Sequence, residues 1–100
     1  QEHATYSVIT PEGFASILWR DASRSKEAAK TMRITAQDLL SFNVIDEIIP
    51  EPLGGAHRDP KAAAELLKQV LTRHFNELLN IDADAIVEER YKKFRAMGNF

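Results

Sequence analysis

The sequence predicts an α/β chain, mostly helical with two short strands, and three patterns carry that reading. Tyr6-Ser7-Val8-Ile9 and Val44-Ile45-Asp46-Glu47-Ile48-Ile49 are short runs rich in β-branched residues, which suit a pleated, half-buried surface. Between and after them stand capped segments whose apolar residues recur at three-and-four spacing, as amphipathic helices require. Strand, helices and strand in that order predict a right-handed crossover unit over residues 1–58, followed by two C-terminal helices over 59–98, all within one domain fragment.

The elements follow in order. The first strand stops at Thr10-Pro11-Glu12, a strong helix opening. The threonine oxygen caps free N–H groups, proline takes the first helical position, and a carboxylate sits at the positive end of the dipole. That helix puts Phe14, Ile17 and Leu18 on one face and weakens near Asp21-Ala22-Ser23, where Ser23 is placed to cap a second segment from Lys26 to Met32. Thr35 caps a short helix through Leu40, with Asp38 three residues on and Ile34 and Leu39 spaced as a hydrophobic staple. Pro50 ends the second strand, and Pro50-Glu51-Pro52 with Gly54-Gly55 makes a loop. Asp59-Pro60 opens a long helix carrying Ala63, Leu67, Val70 and His74, with Ala64, Leu71, Phe75 and Leu78 beside them. Asp82 caps a last helix with Ile86, Val87, Tyr91 and Phe94 inward and Gly98 as its stop.

Composition excludes several classes of function. With 100 residues there is room for one modest core and not for two independent domains. A 44% apolar and 28% charged make-up is ordinary globular usage, and a net charge of −2 offers no electrostatic reason for a nucleic-acid partner or a membrane surface. No window approaches the roughly 20 apolar residues of a spanning helix. Zero cysteines excludes a disulfide framework, thiol catalysis and cysteine zinc sites. The start at Gln1, running at once into an apolar stretch, reads as a fragment or a processed chain.

Candidate chemistry is sparse. His3, His57 and His74 lack the i, i+4 pairing that makes a metal site readable, and no metal is expected. His74 reads as a packed imidazole on the apolar side of its helix. No G-x-S-x-G elbow holds a serine nucleophile. Gly54-Gly55 presents backbone N–H groups to an oxyanion or simply turns the chain. His57 and Arg58 follow it, Arg58 binding an anion or lying solvated beside Asp59. Thr10-Pro11-Glu12-Gly13 stands where α/β folds place ligands, at a strand's C-terminal end and a helix N-terminus, and Glu12 is there either a general base or a dipole-favoured residue of the first turn. The charged stretch Glu88 to Arg95 reads as a solvated face.

Taken together, residues Tyr6 to Gly13, Ala15 to Ala22, Ile48 to Asp59 (Ile-Ile-Pro-Glu-Pro-Leu-Gly-Gly-Ala-His-Arg-Asp) and Arg90-Tyr91-Lys92-Lys93-Phe94-Arg95 resemble, in register over residues 4–98, the C-terminal part of the alpha subunits of bacterial acetyl-coenzyme A carboxylase carboxyltransferases. The resemblance implies the C-terminal portion of a crotonase-like (ClpP/crotonase) spiral. It implies part of an enzyme moving a carboxyl group from carboxybiotin on a carrier protein to acetyl-CoA, giving malonyl-CoA for fatty-acid biosynthesis in the bacterial cytoplasm. The partners it implies are the carboxyltransferase beta subunit, the biotin carboxyl carrier protein and a second alpha subunit in an alpha2-beta2 assembly.

In that family glycine-rich turns stabilise the reacting oxyanions. On the resemblance, the alpha-subunit glycines precede the first strand, so this chain holds no catalytic residue, binds no cofactor alone and is expected to be inactive alone. Thr10, Pro11, Glu12 and Gly13 become candidates for the wall of the biotin pocket, with Gly54, Gly55, His57 and Arg58 as loop candidates. Two other readings stay open: another crotonase-fold acyl-CoA enzyme using Glu12 as its carboxylate, and a small helical protein-interaction module.

Overall fold

In the computed structural model, residues 1–98 are described, and their architecture is helical. The elements are α1 (Pro11–Trp19), a 3-10 turn (Ala22–Arg24), α2 (Ser25–Met32), α3 (Ala36–Ser41), α4 (Pro60–Leu79) and α5 (Ala83–Ala96). They fall into two units, Gln1–Ile48 and Ile49–Phe100. No helix among the described residues is long and apolar enough to cross a membrane.

Neither expected strand forms, so the α/β expectation is corrected to a mostly helical chain. A strand exists only through hydrogen bonds to a neighbour, and among the described residues the first run finds a single bridge, Thr5 with Thr35, and a bond from the Tyr6 N–H to the Ile34 carbonyl at 3.1 Å. The chain then bends at Val8 and Ile9, where the Ser7 hydroxyl accepts from the Ile9 N–H at 3.2 Å and donates to the Ile9 carbonyl. The second run is used up by α3. Asn43 takes a left-handed φ of 57°, its N–H donates to the Leu40 carbonyl at 3.0 Å, and the Val44 N–H donates to the Leu39 carbonyl at 3.0 Å. This six-to-one and five-to-two pair is a Schellman ending, and it consumes the residue at which the strand was expected to begin.

In the first unit, α1 packs on the 3-10 turn and on α2. Its buried side chains are Ala15, Ala28 and Ala36, small enough for backbones to approach closely but too small to bury much apolar area. Proline at its first position and Thr10 as cap start α1, and Arg20, at a left-handed φ of 55°, ends it. The 3-10 turn is capped by Asp21, which accepts from the Ser23 N–H at 3.0 Å and the Ser23 hydroxyl at 2.6 Å. The cap expected of Ser23 is therefore corrected: Ser23 is the donor, and α2 begins at Ser25 with no side-chain cap. The Arg24 guanidinium covers the Trp19 ring at 4.2 Å, with the Phe14 ring edge-on to Trp19 at 5.9 Å.

In the second unit, Asp59 caps α4 by accepting from the Ala62 N–H at 3.0 Å, and Asp82 caps α5 by accepting from the Asp84 N–H at 3.1 Å. Gly98, at φ 79°, stands just past the end of α5. Ala63, Leu67, Val70 and His74 of α4 are half-buried as expected. Several residues expected inward are exposed instead: Ile17 and Leu18 on α1, Ala64, Leu71, Phe75 and Leu78 on α4, and Val87, Tyr91 and Phe94 on α5. Their spacing marks an apolar face correctly, but a face is buried only if another element is there to meet it, and α4 and α5 have no side-by-side packing among the described residues.

Candidate functional site

The first turn of α1 is built by two residues that also limit what it can bind. Proline at position 11 supplies no donor. The Gly13 N–H donates to Thr10 Oγ1 at 3.1 Å and the Phe14 N–H to the Thr10 carbonyl at 2.9 Å, so the remaining donor of the turn is the N–H of Glu12. Thr10 and Glu12 are exposed, while Pro11 and Gly13 are half-buried. The space beside Gly13 is filled from within the chain: a Cβ there falls 2.9 Å from Ile9 Cγ1, 3.1 Å from Ile9 Cδ1 and 3.4 Å from Thr10 Oγ1. An open apolar groove beside this turn is lined by residues 5–9 together with Phe14, Met32 and Ile34. The junction thus offers one backbone donor, one solvated carboxylate and an apolar trough, suited to a wall against a ligand or partner rather than to an anion cradle.

The loop of the second unit brings its four candidates together. Gly54 and Gly55 take φ of 88° and 101°, a backbone that side chains strongly disfavour. Arg58 folds back over Gly54, its Cγ 3.1 Å from where a Cβ would sit, and the His57 ring does the same over Gly55 at 3.1 Å. Three of the loop's donors are used internally. The Gly55 N–H donates to the Pro52 carbonyl at 2.8 Å, the Ala56 N–H to Glu51 Oε1 at 3.2 Å and the Arg58 N–H to the Gly55 carbonyl at 3.1 Å. The glycine pair turns the chain here, with the Gly55 N–H bound to the Pro52 carbonyl.

His74, half-buried on α4, has its Nδ1 3.6 Å from Glu77 Oε2. Among the described residues no three of His, Asp or Glu gather closely enough to hold a metal ion. Sequence reasoning missed the arginine clusters. Arg33, at a left-handed φ of 49°, bonds Asp38 Oδ1 through Nε at 3.1 Å and lies 4.3 Å over the Phe42 ring. Arginine is not a residue that favours this conformation, so no local signal marked it. Asp38 also accepts from the Thr35 hydroxyl at 2.9 Å, and that bond, ahead of the Arg33 guanidinium, holds its carboxyl below the usual range. Hydrogen bonds from Ser23 lower Asp21 in the same way.

Comparison with known proteins adds what this geometry lacks. Residues 1–98 match the family described as acetyl co-enzyme A carboxylase carboxyltransferase-like. Among individual relatives, the acetyl-coenzyme A carboxylase carboxyl transferase subunit alpha of Azorhizobium caulinodans is 57% identical over 97 residues, which is 97% of this chain and 31% of that protein. Its counterpart in Clostridium perfringens is 53% identical over 98 residues, 98% of this chain and 36% of that one. The Methylobacterium nodulans subunit is 57% identical over 97 residues. The chain therefore spans about a third of the length of the curated relatives it matches. With the match running the length of the described residues, the chain belongs to the acetyl co-enzyme A carboxylase carboxyltransferase-like family.

Proposed function

We propose that this chain forms part of a carboxyltransferase that moves a carboxyl group from carboxybiotin on a carrier protein to acetyl-CoA, giving malonyl-CoA for fatty-acid synthesis in a bacterial cytoplasm. The observation that carries the reading is the family match over residues 1–98, together with identity above half to proteins named as the alpha subunit. In this reading the chain works with a beta subunit, a biotin carboxyl carrier protein and a second alpha subunit. The segment Thr5–Ile9 then pairs within a crotonase-like sheet whose other strands lie outside these residues, which accounts for its single bridge and its exposed Tyr6 and Val8.

The chain's contribution is positional. Gly54 and Gly55 are assigned the turning of the chain, the Gly55 and Ala56 N–H groups being already engaged. Thr10 to Gly13 form a wall of the biotin pocket, with Thr10 and Ile9 holding the turn and Glu12 at its solvated edge. The test is a chimera in which residues 1–98 replace the matching third of the Azorhizobium caulinodans subunit. Assembled with beta subunit, it should carboxylate biocytin from malonyl-CoA at a rate comparable to the parent. A folded, assembled chimera with no transfer overturns the reading.

A further inference from the structure

Among the described residues three besides glycine take a left-handed backbone, Arg20, Arg33 and Asn43, each at or just past a helix end. Side chains are strained in that conformation. Two of the three are held by the backbone itself. The Arg20 N–H returns to the Ser16 carbonyl at 3.0 Å and the Asp21 N–H to the Ala15 carbonyl at 3.5 Å, and Asn43 with Val44 closes α3 in the same manner. The end of α2 makes no such backbone cap among the described residues. There the chain is turned by the Arg33 side chain instead.

That side chain reaches across to α3. Arg33 Nε and Nη2 each lie 3.1 Å from Asp38 Oδ1, and the guanidinium lies 4.3 Å over the Phe42 ring. Asp38 accepts at its other oxygen from the Thr35 hydroxyl at 2.9 Å, so one carboxylate ties both ends of the link between α2 and α3. A half-exposed ion pair alone contributes little; the ring contact and the shared carboxylate fix its geometry. What is fixed is the direction of Ile34 and Thr35. Among the described residues the segment before α1 meets this link through the Thr5–Thr35 bridge and the Tyr6 N–H bond to the Ile34 carbonyl at 3.1 Å. Three residues on, Ile9 lies against the first turn of α1, its Cγ1 2.9 Å from the place of a Cβ on Gly13. The link therefore sets where the chain enters Thr10.

We propose that Arg33 is a positioning residue for the wall formed by Thr10 to Gly13, acting through Ile34 and Thr35 on the segment Thr5 to Ile9. The inference rests on the pocket-wall reading given under the proposed function. A strained residue persists where its surroundings over-determine it, and such outliers gather where a site must be held in one geometry. Arg33 is not a catalytic residue: it holds the support on which the wall rests.

The test uses the chimera assembled with beta subunit. Arg33→Gly removes the clamp and relieves the left-handed backbone, opposite effects that should keep the melt near the parent's. Hydrogen exchange over residues 4–9 should then quicken about tenfold while α1 keeps its protection. In transfer from malonyl-CoA the KM for biocytin should rise about tenfold, with kcat and the KM for malonyl-CoA within about twofold of the parent. Phe42→Leu, which loses the ring and keeps the backbone, should move both readouts the same way, and adding it to Arg33→Gly should change little more. It carries the comparison if Arg33→Gly melts early. Arg20→Gly, the same exchange at a turn held by backbone bonds, should leave both readouts unchanged. Unchanged exchange over residues 4–9 in Arg33→Gly overturns the proposal, as does quicker exchange with an unchanged biocytin KM, or an equal effect of Arg20→Gly. If the unsubstituted chimera transfers nothing, the carboxyltransferase reading fails, and the exchange comparison alone decides whether Arg33 holds the segment.

Discussion

Ile9 and Gly13 are locked together by the absence of one carbon: a Cβ on Gly13 would stand 2.9 Å from Ile9 Cγ1, closer than carbon atoms approach. The glycine in the first turn of α1 is thus required by the chain's own packing, before any ligand is considered. Alanine is favoured over glycine in a helix by roughly 0.5–1 kcal/mol, so the sign of Gly13→Ala depends on whether Ile9 can give way. In the native background the substitution should lower the urea midpoint. In an Ile9→Ala background it should raise stability by roughly 0.5–1 kcal/mol. Equal effects in both backgrounds would show that the two residues do not compete for that space.

Glu12 is exposed at the same turn. On the proposed carboxyltransferase reading, Glu12→Gln in the assembled enzyme should leave carboxyl transfer to biocytin within a few-fold of wild type, far from the 10²–10⁴-fold loss that removal of a general acid or base causes. A collapse in rate with an unchanged melt would instead assign Glu12 the role of base, as in a crotonase-fold acyl-CoA enzyme. Gly13→Val should lower the melt, since its bulk meets Ile9, and on the proposed pocket-wall reading it should lower the rate as well.

Most of the helix caps were legible in this sequence, Ser23 excepted, and tertiary chemistry was not. Thr10, Thr35, Asp59 and Asp82 all cap the helices their positions announce, because a cap is an interaction over two or three residues. The strand at Tyr6 failed for the opposite reason: β-branched residues specify an extended backbone but not the neighbour that completes a ladder. Val44 failed because its N–H was claimed by the end of α3, a use that Asn43 in the preceding position signals. At the candidate site the capped opening of α1 and the glycine loop were both readable. The folding of His57 over Gly55 and of Arg58 over Gly54 was not, since side-chain return over a turn leaves no spacing pattern.

The loop offers a sharper test of glycine. At φ 101°, Gly55 faces both backbone strain and the His57 ring 3.1 Å away. Gly55→Ala should destabilise the second unit by about 1–2 kcal/mol, the cost of a side chain in left-handed backbone. Adding His57→Ala should recover little, because strain and not the ring sets the cost. Full recovery in the double variant, read by thermal melts, would place the cost in the ring contact.

The bond between Thr35 and Asp38 makes the start of α3 pH-dependent. Thr35 Oγ1 donates to Asp38 Oδ2 at 2.9 Å while accepting from the Asp38 N–H at 3.3 Å, and the Arg33 side chain bonds Oδ1. The hydroxyl bond is the largest cause holding the Asp38 carboxyl below its usual range, so the folded pKa lies under the unfolded one. A group depressed in this way contributes stability above its unfolded pKa of about 3.9, and that contribution is lost as pH falls through the folded value. Asp38→Asn should therefore melt below wild type at pH 6–7, with the gap closing as pH drops under about 4. Asp21, lowered by its bonds from Ser23, adds a second acid-sensitive contribution, so the comparison is cleanest in an Asp21→Asn background. Thr35→Ala removes both the cap and the main cause of the shift. It should cost about 1 kcal/mol at neutral pH and move the Asp38 carboxyl, followed by carbon-13 NMR titration, back toward the ordinary range. A gap between wild type and Asp38→Asn that stays constant from pH 2 to 7, or an Asp38 titration unmoved by Thr35→Ala, would refute this account of the α3 cap.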